Sequence, residues 1–325
     1  MEKFRWCFIG TGRLANQVAS QIINSGNHEI VSCYSRNSES SKRFAEKFNA
    51  RAYDNADEAI LDSDVEGVYV VTPHNAHFRY TKIALEAGKP VLCEKAFTID
   101  SRETDELIRI ARGKRIYLAE AMWTWFSPCA NQVKKWVDEG KIGQIKKASF
   151  TYHMKSINYS PRVSDPRRAG GALLDITVYP ITYAYRLFGY PVSIESKAVI
   201  ENCIDVSEEI IMTFRDDIRA DISASIIDMK GLEKMKITGS KGTITSNFFH
   251  ASTKAILNNG LFNRKRFTSG KGPINSYVDE FDIAASEIRE GLFESRKVPF
   301  SATSDVMHIM DEIRRQIDLV YDDLE

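Results

Sequence analysis

Three groups of residues in this sequence have the types and spacing to do chemistry. The first is Gly10-Thr11-Gly12-Arg13-Leu14-Ala15, directly after an apolar run. Gly10 permits a tight turn, Gly12 lets a pyrophosphate approach the backbone, and Ala15 keeps a following helix close to a sheet. Phosphates would meet the free N–H groups and positive end of that helix, so Gly10, Thr11, Gly12, Arg13 and Leu14 read as a dinucleotide cradle. About 20 residues further on, an acidic residue would accept hydrogen bonds from the ribose of NAD. Here the chain reads Tyr34-Ser35-Arg36-Asn37. Arg36 offers a planar donor fork to a 2′-phosphate and Ser35 a hydroxyl, which favours NADP(H) over NAD(H).

The second group is Lys95, preceded by Glu94, together with Asp175 and Tyr179. Hydride transfer to or from an alcohol carbon needs a group that handles the hydroxyl proton and one that stabilises charge on that oxygen. Lys95 lies at the end of a strand-like segment, where open α/β sheets hold their ligands. There a lysine can polarise a carbonyl. Tyr179 is the second candidate for the proton, and the residues alone leave the choice open. Asp175 precedes Tyr179 by four residues, so on a helix the two share a face and Asp175 could orient Lys95 or the substrate hydroxyl.

The third group is looser. Thr72-Pro73-His74-Asn75-Ala76-His77 follows another strand-like segment and is expected to line a nicotinamide pocket, with Thr72, Pro73, His74 and His77 at the cofactor and His77 structural rather than chemical. Neither histidine has metal-ligand spacing with a carboxylate, so no metal is expected. Trp123, Trp125 and Phe126 could wall a sugar or diol site or simply pack at a domain junction. His153, near a strand end, is a further pocket candidate.

The elements that must position these residues alternate. Strand-like runs at Phe4 to Ile9, Glu29 to Ser35, Gly67 to Val71, Pro90 to Cys93 and Arg115 to Ala119 are separated by helical patterns at Leu14 to Ser25, Ser38 to Phe48, Phe78 to Ala87 and Ser101 to Gly113. That order predicts a parallel sheet with right-handed crossovers. After a helix at Asn131 to Glu139 the pattern becomes strand-rich: Ile145 to Met154, Val192 to Glu201, Glu208 to Arg215, Ile218 to Ile227, Leu232 to Gly239 and Thr243 to Phe248. One helix, Gly171 to Phe188, interrupts these runs, and two more close the chain, Ser276 to Gly291 and Ala302 to Tyr321. The fold class is α/β: an N-terminal Rossmann fold over 1–120, then an α+β domain over 121–325 with a large, mostly antiparallel open sheet. The last helix is free to pack back on the first domain.

At 325 residues the chain can bury two cores. Lys plus Arg and Asp plus Glu both number 44, so nothing in the charge points to a nucleic acid or another polyanion. Asn263-Arg264-Lys265-Arg266 reads as a solvated loop. The N-terminus lacks the segments of a secretory signal, and no apolar run approaches the roughly 20 residues of a membrane helix. Five scattered cysteines without a Cys-x-x-Cys pair suit a reducing, cytoplasmic setting.

From Val91-Leu92-Cys93-Glu94-Lys95-Ala96-Phe97 onward the sequence resembles the glucose-fructose oxidoreductase/inositol dehydrogenase (Gfo/Idh/MocA) family. Also matching are Gly10 to Ala15, Thr72 to His77, Gly170-Gly171-Ala172-Leu173-Leu174-Asp175-Ile176 and Gly291-Leu292-Phe293-Glu294-Ser295. Ala96 replaces the proline of the family's Glu-Lys-Pro. Within the family, Leu118 to Phe126 and Tyr179 are similar to the branch of dimeric dihydrodiol dehydrogenase and NADP-dependent D-xylose dehydrogenase, with Trp125 where that branch has arginine. The resemblance implies Lys95, Asp175 and Tyr179 as the catalytic group. It implies an NAD(P)-dependent oxidoreductase acting on a CH–OH of a sugar, cyclic polyol or trans-dihydrodiol. A homodimer through the second sheet, or a tetramer, is implied as well. The alternatives are a non-catalytic NADP-binding regulator or a structural partner subunit, neither of which needs the three catalytic side chains.

Overall fold

The computed structural model describes the chain except Met1, Tyr159, Leu261, Phe262, Lys271, Pro273, Ile274, Asp322, Asp323 and Glu325. The chain divides into two units, residues 1–123 with 274–304, and residues 124–273 with 305–325. The first unit is therefore discontinuous: a segment from late in the chain completes it.

In the first unit, short apolar runs form strands that inside the sheet are buried on both faces, as a parallel sheet requires, while the edge strand at Arg51–Tyr53 is largely exposed. They are β1 (Phe4–Ile9), β2 (His28–Tyr34), β3 (Arg51–Tyr53), β4 (Gly67–Val70), β5 (Val91–Glu94) and β6 (Leu118–Ala121). All neighbours pair in parallel in the order β3-β2-β1-β4-β5-β6. The sheet order thus reverses between β1 and β4, the crevice at which doubly wound sheets hold ligands. Helices α1 (Arg13–Asn24), α2 (Ser38–Phe48), α3 (Ala56–Leu61), α4 (His77–Glu86) and α5 (Ser101–Lys114) make the crossovers. Asn37, Asn55 and Asp100 cap α2, α3 and α5 by accepting a backbone N–H from the first turn. Two elements exceed the sequence reading, the three-residue β3 and the six-residue α3, both too short for a periodic signal. A third differs in place: β6 begins at Leu118 rather than Arg115, because α5 runs to Lys114 and Arg115 is its left-handed cap with φ 54°.

The second unit opens with α6 (Pro128–Asp138) and builds one eight-stranded sheet. Its strands are β7 (Ile145–His153), β8 (Ser193–Glu201), β9 (Ile204–Thr213), β10 (Arg219–Ser225), β11 (Glu233–Gly239), β12 (Gly242–Asn247), β13 (Lys254–Asn258) and β14 (Arg264–Thr268). The order is β14-β13-β12-β11-β7-β10-β9-β8, antiparallel everywhere except β7 against β10. The basic run at Arg264 is not a loop but the edge strand β14, and its exposed charges suit an edge that must not pair further. Along β7, Ala148, Phe150 and Tyr152 are buried while Ser149, Thr151 and His153 alternate toward the other face. α7 (Val178–Phe188) covers the apolar face, with Tyr183 packed on Phe150 at 5.8 Å between ring centroids. The predicted helix from Gly171 is in fact two pieces, a π-helical turn at Leu173–Thr177 leading into α7. α8 (Asn275–Arg289) belongs to the first unit, and α9 (Phe300–Gln316) runs across the boundary at residue 304.

Candidate active site

The end of β1 is shaped for a close approach. Gly10 has φ +109°, and a Cβ there would lie 2.6 Å from the Val71 carbonyl oxygen, so no other residue fits the turn. Gly12 caps α1 without any side-chain hydrogen bond, and a Cβ on it would meet nothing within 4 Å. The N-terminus of α1 thus has no side-chain cap and open space beside Gly12, a setting that suits a phosphate. Thr11 is buried, with its hydroxyl 2.8 Å from that of Ser40, whereas Arg13 is exposed and Leu14 half-buried. At the end of β2, Ser35 Oγ accepts the Asn37 N–H at 3.2 Å and Arg36 is exposed. No carboxylate occupies Ser35, Arg36 or Asn37 to repel a ribose phosphate.

Beyond β4, His77 bridges two loops. One ring nitrogen lies 2.9 Å from the Thr72 carbonyl oxygen and the other 2.9 Å from that of Ala96. The histidine thus ties the Thr72-Pro73-His74 loop to the backbone that follows Lys95. His74, buried, meets the His77 ring edge-on at 5.6 Å. The Lys95–Ala96 peptide is cis.

Lys95 follows the last residue of β5 and is half-buried. Beside the Glu94 already read from the sequence lie two carboxyl groups that it did not single out, Glu120 and Glu280. Glu94 accepts the Tyr69 hydroxyl at 2.6 Å and the Lys95 N–H at 3.3 Å. Glu120, on β6, accepts the Thr303 hydroxyl at 2.9 Å. Burial pushes the Glu120 carboxyl up to about 7, against the opposing pull of the Thr303 hydroxyl and the Lys95 charge. Glu280, on α8, is 1% exposed, and burial with the negative charges of Glu94 and Glu120 raises its carboxyl well above the usual range.

In the second unit, Asp175 sits inside the π-turn and Tyr179 in the first turn of α7. Arg162 donates to Asp175 at 2.5 Å. The turn is pinned from β9: Asp205 accepts the Leu173 N–H at 2.6 Å, and Thr177 donates its hydroxyl to Glu208. Burial raises both carboxyls, that of Asp205 to about 7. Tyr179 is 8% exposed and packs against two rings that stack on each other at 4.9 Å, His250 at 5.3 Å and Tyr152 at 6.1 Å. Glu233 holds His250 twice, accepting its backbone N–H and contacting Nδ1, each at 2.6 Å. Arg162, His250 and Glu233 carried no signal in the sequence, because each reaches this group through a loop or a strand pairing rather than a motif.

The remaining sequence candidates are distributed as follows. Trp123 stacks on Tyr277 at 5.2 Å within the first unit. Trp125 lies under the Arg186 guanidinium at 5.1 Å within the second, and Phe126 is buried there too. His153 lies on the sheet face opposite Tyr152, bound to Asp228 and Ser223, each at 2.8 Å. Among the described residues no group of three His, Cys, Asp or Glu could hold a metal ion, and no helix is long and apolar enough to cross a membrane.

Two family models match the chain. One, described as an oxidoreductase family with an NAD-binding Rossmann fold, covers residues 4–120, and the other, a GFO/IDH/MocA C-terminal domain, covers 130–245. The chain is 29% identical to a D-xylose 1-dehydrogenase (NADP(+)) from Hypocrea jecorina, over 98% of this chain and 93% of that protein. It is 27% identical to the trans-1,2-dihydrobenzene-1,2-diol dehydrogenase of Mus musculus, over 98% of each. A solved 3-ketoreductase from Actinomadura kijaniata in complex with NADP has the same fold, with TM-score 0.86 and 23% identity over 97% of this chain and 98% of that one. A levoglucosan dehydrogenase in complex with NADH and levoglucosan superposes with TM-score 0.85 and 18% identity over 98% of each.

Proposed function

The chain belongs to the Gfo/Idh/MocA family of oxidoreductases, and from that premise we propose that it is an NADP(H)-preferring dehydrogenase of a sugar, cyclic polyol or trans-dihydrodiol. The observation that carries the reading is the open, uncapped N-terminus of α1 beside Gly10 and Gly12, followed at the end of β2 by Arg36 in place of an acidic residue. These residues fit a dinucleotide carrying a 2′-phosphate. Bound there, the nicotinamide supplies hydride exchange with a carbinol carbon. The chain itself supplies the remainder: the α1 amides hold the pyrophosphate, Arg36 and Ser35 hold the ribose phosphate, and the His77-braced loop flanks the ring.

Lys95, Asp175 and Tyr179 form the proposed catalytic group. As the carbinol C–H leaves with both electrons, the hydroxyl proton passes either to Lys95 Nζ, starting as the free amine, or to Tyr179 Oη, starting as the phenolate while the Lys95 ammonium offsets charge on the oxygen. Asp175, with its Arg162 partner, orients. Substitutions Lys95→Met and Tyr179→Phe separate the two candidates: the one that abolishes the pH dependence of kcat removes the proton acceptor. A homodimer through the uncovered face of the eight-stranded sheet, in a cytoplasmic setting, completes the proposal, with sedimentation at twice the chain mass as its test.

The enzymatic reading is tested by following reduction of NADP⁺ and NAD⁺ against aldoses, inositols and trans-diols. Turnover of one class with NADP⁺ preferred supports it. Tight NADP⁺ binding without turnover of any class would move the chain to a regulatory role.

A further inference from the structure

The catalytic reading uses Lys95 but leaves unexplained the acid packed behind it. Three carboxyl groups from three elements of the first unit interact electrostatically, Glu94 from β5, Glu120 from β6 and Glu280 from α8, and the first two also interact with Lys95. Glu94 accepts from the Tyr69 hydroxyl and the Lys95 N–H, and Glu120 accepts from the Thr303 hydroxyl. Glu280 is different. It is 1% exposed, and neither carboxyl oxygen has a hydrogen-bond partner. An ionised carboxylate so placed would forfeit hydration with no compensating donor, a far larger penalty than leaving a neutral acid there. The charges facing Glu280 are those of Glu94 and Glu120, both negative, and the phenols of Tyr69 and Tyr117 also lie nearby. Glu120, by contrast, faces the Lys95 ammonium as well as Glu94.

We propose that Glu94, Glu120 and Glu280 act as one buried unit behind Lys95, in which Glu280 keeps its proton and the Glu120 carboxylate fixes the position and charge balance of the Lys95 ammonium. Glu120 and Glu280 are positioning residues, acting on the reaction through Lys95. The order of ionisation follows from the partners. Glu94, which accepts from the Tyr69 hydroxyl and the Lys95 N–H, has the donors that a carboxylate needs. Glu120, raised by burial and drawn back by the Thr303 hydroxyl and the Lys95 charge, loses its proton near neutrality, and burial with the charges of Glu94 and Glu120 holds Glu280 neutral. The lysine would then meet a different counter-charge above and below that pH, which ties the rate to a group that never touches the substrate. The proposal rests on Lys95 being the catalytic lysine, so its test includes readouts that need no turnover.

The experiment is infrared titration of the carboxyl C=O and carboxylate bands in the full chain, comparing the unaltered protein with Glu280→Gln, Glu120→Gln and Lys95→Met. A carboxylic-acid band should persist above neutrality and vanish in Glu280→Gln. A second acid band should titrate with a midpoint at about 7, be absent from Glu120→Gln, and shift its midpoint upward in Lys95→Met. Glu280→Gln replaces a neutral acid with a neutral amide, Glu120→Gln and Lys95→Met each remove a charge, and all three nearly keep volume; the circular dichroism of each variant checks that the fold is retained. With a substrate in hand, Glu120→Gln should lower kcat about tenfold, change KM by less than about threefold and erase the neutral ionisation from the kcat profile. No persistent acid band, or a Glu120 midpoint indifferent to Lys95→Met, would overturn the proposal. A silent substrate panel with the expected spectra would instead count against the dehydrogenase reading alone.

Discussion

At the scale of single residues, the cofactor and proton assignments make opposite kinds of prediction. Replacing Arg36 with Ala removes charge-assisted hydrogen bonds, each worth about 1.5–3 kcal/mol, so KM for NADP⁺ should rise by roughly 10–100-fold while that for NAD⁺ moves little. Equal losses for both cofactors would show that Arg36 does not meet the 2′-phosphate. Lys95→Met should instead leave cofactor affinity within a few-fold and lower kcat by roughly 100-fold or more, as measured by steady-state turnover beside a fluorescence titration with NADPH. Gly10, Gly12, Arg36 and Lys95 were legible because each sits next to a strand end that fixes where its side chain or bare backbone must lie. His250 and Glu233 were not. They reach Tyr179 because Glu233 pairs with Tyr152 across β11 and β7, a register that no local pattern encodes.

At the scale of elements, two backbone features are decisive. The β1–α1 turn requires Gly10: Gly10→Ala meets both the positive φ and the Val71 carbonyl, costing on the order of 1–3 kcal/mol. Its expected effect is a lower melting temperature together with weakened NADP⁺ binding, and a melting temperature equal to that of the unaltered protein would contradict it. The second feature is the π-turn carrying Asp175. The sequence gives an amphipathic helix from Gly171, in which Asp175 and Tyr179 would be α-helical neighbours. Instead Asp205 takes the Leu173 N–H and Glu208 the Thr177 hydroxyl, and the backbone widens by one residue before α7. Single π-turns concentrate at functional sites, where they re-aim a side chain that a regular helix would place elsewhere. Asp205→Asn should retain a side-chain carbonyl for Leu173, whereas Asp205→Ala should release the turn and lower kcat without altering NADP⁺ affinity. Identical kinetics for the two variants would contradict that role.

At the scale of the whole molecule, the buried acids set a pH dependence of stability. Glu120 and Asp205 titrate at about 7 in the fold, above the 4.5 and 3.8 of the free side chains. For a carboxyl raised in this way the native state binds more protons than the unfolded one between those values. The contribution to stability is therefore full below the free value, falls as pH rises toward about 7, and is flat beyond. Melting temperature should fall between pH 5 and pH 8, and Glu120→Gln or Asp205→Asn should each flatten part of that fall. A slope unchanged in both variants would count against the buried titrations.

By itself the sequence determined the alternation of strands and helices, the parallel sheet, the glycine turn after β1 and the family. Each of these is written in local periodicity, turn residues and short motifs whose steric demands act within a few residues of chain. Only the tertiary structure decided what stands behind Lys95, what pins the turn of Asp175, and that residues 274–304 complete the first unit rather than the second. Those depend on carboxyl groups and loops brought together over long separations in the chain. Their pairing is fixed by burial and by the need to satisfy buried polar groups, and neither leaves a periodic trace in the amino-acid order.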